Sequence, residues 1–271
     1  MKHFARIAML AAALMLALVA TASPASAAKP VQLALGDSWA AGFGSSDGGY
    51  VPRLNEALRS HFDCSPSDNA KPDQGCSKLE LVSVAVPGAT TPTLIANQLP
   101  QSVELLQARN SDANPRDNVE VVTLHIGGND VTNPIIGACL GGLTANCLNV
   151  IQTRFATYRT NLDTVLSSLR SAAGPDTRIV LGTYDNPFGS CNLGQVPGAV
   201  QLANIVLEGL PPFVPLGLHD VMRDVADDHG VEIAEIFGDL GPQDWLGGND
   251  CLHPDDSGYD KVTAAFVDVL N

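Results

Sequence analysis

Five short runs of apolar and β-branched residues, at 31–35, 79–86, 119–126, 178–184 and 231–236, punctuate the chain, and the stretches between them are longer and amphipathic. Runs this short read as buried strands rather than core helices. Strands that alternate with helical stretches pair in parallel through crossovers. The pattern therefore predicts an α/β fold, a three-layer α/β/α sandwich around a central, mostly parallel five-stranded sheet. Thr91-Pro92 reads as a helix start, with threonine as the cap and proline in the first turn, and Pro100 as its end. Longer helical patterns cover 148–172 and 201–229, the second interrupted at Gly209-Leu210-Pro211-Pro212 and closed by His229-Gly230, where glycine suits a left-handed cap. A last helix spans 256–270, and the polar or glycine-rich segments 65–74 and 132–146 read as loops. Ligands of an open parallel sheet bind beyond the carboxyl ends of its strands. Ser38, Gly88 and Asn129 follow the first three runs, so this rule brings them to one edge.

Composition adds a compartment. Lys2 and Arg6, an apolar run at 7–20 and the small residues Ala25-Ser26-Ala27 make 1–27 a secretory signal peptide, leaving a single domain of 244 residues at 28–271. The run is short for a bilayer span, so a secreted, extracellular protein with no stable membrane anchor is expected. The whole chain carries a net charge of −14, and loss of the leader's two basic residues makes it −16. That sign disfavours nucleic acid and anionic membrane as partners. Six cysteines, all beyond the leader, suit three disulfides in an oxidising compartment. Proximity along the chain pairs Cys64 with Cys76, Cys139 with Cys147, and Cys191 with Cys251. No CxxC pair offers the usual zinc spacing, and neither a metal nor a cofactor is expected. A monomer whose partner is a small molecule or a lipid is expected.

The chemistry starts at Gly36-Asp37-Ser38, which ends the first strand. A serine hydroxyl is a weak nucleophile until a base takes its proton. Five histidines follow the leader. His61 and His229 fall at helix ends, His219 lies in a helix, and His125 sits inside a strand as a hydrogen-bonded structural residue. His253 stands three residues after Asp250 and directly before Pro254, which biases it to a loop. Asp250 can hold one imidazole nitrogen and leave the other for Ser38. Attack on an ester carbonyl also needs donors for the developing oxyanion. The N–H groups of Ser38 and Gly88 and the amide of Asn129 qualify. Asp37 and Asp130 read as loop-holding residues. Gly44-Ser45-Ser46-Asp47-Gly48 matches the Gly-x-Ser-x-Gly pattern, but Ser46 lacks the flanking strand and helix that a nucleophile elbow requires.

The segments around Ser38, Gly88, Asn129 and His253, in that order, resemble the four sequence blocks of the SGNH, or GDSL, hydrolases. The resemblance spans 35–253 and implies a flavodoxin-like sandwich with Ser38 as nucleophile, Asp250 and His253 as its triad partners, and Gly88 and Asn129 as oxyanion donors. With the cysteines and the leader, Gly127-Gly128-Asn129-Asp130 is similar to the secreted bacterial lipases and esterases of that family. Trp39 stands where the family name has leucine, and Pro87 where a small polar residue is common. The resemblance implies a secreted esterase or lipase acting on neutral acyl esters. Deacetylation of a polysaccharide, hydrolysis of a phospholipid, or a non-catalytic lipid- or glycan-binding role on the same scaffold are the alternatives. Trp39, Phe43, Phe188 and the segment 210–216 are the apolar candidates for an acyl pocket.

Overall fold

The computed structural model describes residues 29–59 and 79–271. The expected signal peptide, His61 and the Cys64–Cys76 pair lie outside these residues. Five parallel strands form one sheet: β1 (Val31–Gly36), β2 (Glu80–Ser83), β3 (Val119–His125), β4 (Arg178–Gly182) and β5 (Glu232–Ala234), in the order β2-β1-β3-β4-β5. Each falls within, or one residue beyond, its predicted run. The two central strands have every residue but Glu120 buried, which is why they read as continuous apolar runs rather than alternating ones.

The helices are α1 (Tyr50–Leu58), α2 (Thr91–Asn97), α3 (Leu99–Asn110), α4 (Gly128–Cys139), α5 (Ala145–Ala173), α6 (Ala199–Glu208), α7 (Leu218–Asp228) and α8 (Asp256–Leu270). α1 packs on α8 in one layer, while α2, α3, α4 and α7 gather around α5 in the other, giving the three-layer sandwich. α5 owes its 29 residues to an unbroken stripe, Cys147, Ile151, Phe155, Tyr158, Leu162, Val165 and Leu169, spaced three and four apart so that one face meets the core. Thr144 caps it by accepting a hydrogen bond from the Cys147 N–H at 3.2 Å.

The structure corrects two expectations. The cap of α2 is Thr90, whose N–H donates to Thr93 Oγ1 at 2.9 Å, and Thr91 is the first helical residue. The helix that starts at Thr91 does end before Pro100, and Pro100 then lies in the first turn of α3, where a proline forgoes an N–H that has no intrahelical partner. The 132–146 segment is mostly helical: α4 runs through Pro134 to Cys139. The missing N–H of Pro134 is outweighed by Val131, Ile135 and Cys139, one face of α4 buried towards α5. The glycine-rich turn at 42–49 leads into α1.

Candidate active site

Ser38 sits in the turn that leaves β1, 8% exposed. Gly36 makes that turn possible: at φ +139° a Cβ there would lie 2.2 Å from the carbonyl oxygen of His125 on the neighbouring strand. The Asp37 N–H donates to that same oxygen at 2.9 Å. From the other side the Gln98 amide clamps Gly36, accepting its N–H and donating to its carbonyl, both at 2.9 Å. Asp37 turns inward, accepting from the Trp39 N–H at 3.0 Å and the Tyr184 hydroxyl at 2.6 Å. Burial pushes its carboxyl up to about 7, against these hydrogen bonds.

The histidine arrives from the loop before α8. His253 Nε2 lies 2.9 Å from Ser38 Oγ, and its Nδ1 lies 2.8 Å from Asp250 Oδ2 and 3.0 Å from Oδ1. With Nδ1–H donating to the carboxylate, Nε2 presents a lone pair to the hydroxyl. Burial raises the Asp250 carboxyl, but the Leu252 N–H, the imidazole and the His253 N–H together hold it below the usual carboxylate range. The loop is pinned on several sides. Trp39 Nε1 donates to the Leu252 carbonyl at 2.8 Å, the Leu246 N–H to the His253 carbonyl at 3.1 Å, the Phe43 ring leans on the imidazole at 4.4 Å, and the Cys191–Cys251 disulfide holds its start. Cys139 and Cys147 form the second described bridge.

Opposite, Asn129 lies in the first turn of α4, at the carboxyl end of β3. Its Nδ2 donates to the Ala89 carbonyl at 2.9 Å, which ties it to the loop carrying Gly88 and leaves the second amide hydrogen available. Asp130 completes the tie: its carboxylate accepts from the Thr91 N–H at 3.0 Å and the Thr91 hydroxyl at 2.5 Å. Gly88 itself is at φ +79°, with nothing within 4 Å of where a side chain would start, so its backbone is open to an approaching group. Neither Ser38 nor Gly88 donates its backbone N–H to any described residue.

A pocket of about 780 Å³, its open mouth included, adjoins Ser38 and Asn129 and runs between α4 and α6 along Val131, Ile135, Phe188 and Leu202. Of the apolar candidates, Trp39 and Phe188 line it. Phe43 does not, lying half-exposed over His253, and of 210–216 Val214 is buried core while Leu210, Phe213 and Leu216 are exposed. His125 is a second correction. It is fully buried among Trp39, Tyr50, Tyr184 and Phe266, and its ring nitrogens make no hydrogen bond of normal geometry among the described residues. Burial lowers its pKa to about 3, so it stays neutral and away from solvent. His219 is in α7, bonded to Glu208 and to the Tyr184 N–H. Ser46 is exposed, with its N–H on Asp256 at 3.0 Å. The sequence reading missed Gln98 and Tyr184 as neighbours of the site, and assigned Phe43 to the acyl pocket where it instead packs on His253. Neither Gln98 nor Tyr184 carries a local signal, since each reaches the site from a separate element.

Among curated proteins none matches the chain significantly. Solved structures share its fold: a lipase from a goat rumen metagenome (17% identity, TM-score 0.56, covering 89% of this chain and 97% of that one), a putative GDSL-like lipase from Parabacteroides merdae (13%, 0.56, 89% and 95%), and a catalytic mutant of an acetylxylan esterase from Geobacillus stearothermophilus (14%, 0.52, 90% and 95%). The profile of the GDSL-like lipase/acylhydrolase family matches residues 34–261, a span that runs from β1 past His253 into α8. The chain is therefore a carboxylic ester hydrolase belonging to the GDSL-like lipase/acylhydrolase family.

Proposed function

We propose that the protein is an exported serine esterase that hydrolyses neutral acyl esters through an acyl-enzyme on Ser38. One observation carries the reading: Ser38 Oγ lies 2.9 Å from a histidine nitrogen whose partner nitrogen rests on a carboxylate. His253 takes the serine proton as Oγ attacks the carbonyl carbon, and Asp250 fixes the tautomer and stabilises the imidazolium. The carbonyl oxygen becomes an oxyanion facing the N–H groups of Ser38 and Gly88 and the Asn129 amide. His253 then protonates the leaving alcohol, and repeats the cycle with water to release the acid. An apolar pocket beside the serine favours acyl groups longer than acetyl, and a net charge of −14 favours neutral over anionic esters. Two disulfides support export, and among the described residues no helix is long and apolar enough to cross a membrane.

The test is hydrolysis of p-nitrophenyl esters by the wild type, Ser38→Ala and Ser46→Ala. Ser38→Ala should lose roughly a thousandfold or more in kcat while Ser46→Ala keeps the wild-type rate. Full activity in Ser38→Ala would transfer the nucleophile elsewhere.

A further inference from the structure

The pocket beside Ser38 has a neighbour. A second pocket, about 740 Å³ with its mouth, lies between the C-terminal half of α4, the turn at 142–143, the segment 193–198 and α6. Ile136, Phe188 and Leu202 line both pockets, so the two chambers share one wall of three side chains. The far chamber is apolar, with Gln201 the one side-chain amide in its lining. Around it Leu140, Leu143 and Val196 are 73%, 37% and 42% exposed. Apolar side chains gathered in this way leave a surface that gains free energy when an apolar occupant covers it.

Phe188 is the member of the wall best placed to regulate passage. Its ring is 7% exposed and packs in a small cluster with Cys191 and Cys251, separate from the main core. Its backbone is held by the Asn186 side chain, which accepts from the Phe188 N–H at 3.1 Å and donates to the Val200 carbonyl on α6 at 2.9 Å. The backbone is thus fixed to α6, while the ring stands between two cavities.

We propose that the two pockets are successive segments of one acyl channel, and that Phe188 is the partition that sets the acyl-chain length. The inference rests on the assignment of Ser38 as nucleophile. The chamber beside Ser38 takes the proximal methylenes of the acid, and the tail of a long chain passes Phe188 and lies in the far chamber against Leu143 and Val196. The substrate class is therefore esters of long-chain fatty acids.

The test compares kcat/KM for p-nitrophenyl hexadecanoate and butanoate, dispersed in the same detergent, and reads their ratio. Each buried methylene favours binding about fourfold, so denying the far chamber to two or more methylenes should lower the long-to-short ratio by about tenfold or more. Phe188→Trp, which closes the partition, and Ala199→Trp, which fills the far chamber from the start of α6, should both lower it to that extent. Phe188→Ala should raise it, and Ala199→Trp added to Phe188→Ala should cancel the rise. Phe188→Leu carries the same test if the alanine variant fails to fold. A wild type that cleaves butanoate through Ser38, with a ratio indifferent to these variants, overturns the channel and leaves the proposed reaction standing. If Ala199→Trp spares the ratio but abolishes binding to phosphatidylcholine vesicles, the far chamber belongs to a lipid surface and the channel is overturned. A wild type that cleaves neither ester overturns the reaction itself.

Discussion

Trp39, the residue beside the proposed nucleophile, joins two halves of the site. Its ring packs edge-on against His125, Tyr184 and Trp245, and its indole N–H holds the Leu252 carbonyl, one residue from His253. Trp39→Phe keeps an aromatic ring and removes that bond, worth about 1 kcal/mol, together with part of the indole's packing. As a positioning residue it should lower kcat by roughly fivefold with KM nearly unchanged; steady-state kinetics with an unaltered kcat would make Trp39 a packing residue alone. Asp37, on the other side of the serine, carries a pH dependence. Burial raises its carboxyl to about 7, whereas in the unfolded chain it titrates near about 4. Between those values the folded state binds the extra proton, so stability falls as pH rises through that window and levels off above it. Asp37→Asn keeps an acceptor for the Trp39 N–H and offers its own N–H to the Tyr184 oxygen. Urea midpoints taken at about pH 5 and about pH 8 should show the variant gaining on the wild type at the higher pH. An equal gap at both would mean that Asp37 ionises normally in the fold.

The elements that were legible in the sequence are those whose signals are local. α8 coincides with its predicted bounds because Asp255 caps it, accepting from the Ser257 and Gly258 N–H groups at 2.9 and 3.0 Å, and its apolar positions recur at helical spacing. α4 was hidden because Pro134 and Gly137 speak against a helix locally, and its burial towards α5 overrides them. The loop that carries Asp250 and His253 has no regular structure of its own, so its shape depends on attachments. The Cys191–Cys251 bridge is the covalent one, closing a separation of 60 residues, for which chain-entropy models give about 4 kcal/mol. Replacing both cysteines with serine should lower stability by up to about that amount and reduce kcat together with it, because the histidine is two residues beyond the bridge. Denaturant melts and kinetics on the same double variant check this. A destabilised variant with wild-type kcat would confine the bridge to holding the fold.

Across the molecule, the site is assembled at the carboxyl edge of the sheet, where β1 delivers Ser38, the loop after β2 delivers Gly88, and β3 delivers Asn129 at the head of α4. Parallel pairing requires each strand to exit at the same edge, so their convergence was readable from the predicted parallel strands alone. The five strands and the chemical types at the site follow from the chain's own pattern for a similar reason: apolar periodicity and the needs of a serine nucleophile are local properties. The hydrogen-bonded approach of His253 to Ser38 spans 215 positions, and no local signal specifies the tertiary arrangement that brings them together. The same holds for Gln98 on Gly36, Tyr184 on Asp37 and the apolar cage of His125, whose partners come from different elements. It holds for the proposed acyl side as well. Phe188 is recognisable as apolar from its residue type, but its place in the wall between two cavities exists only once α4, α6 and the 187–190 turn have packed, because a cavity is defined by the packing of elements distant along the chain.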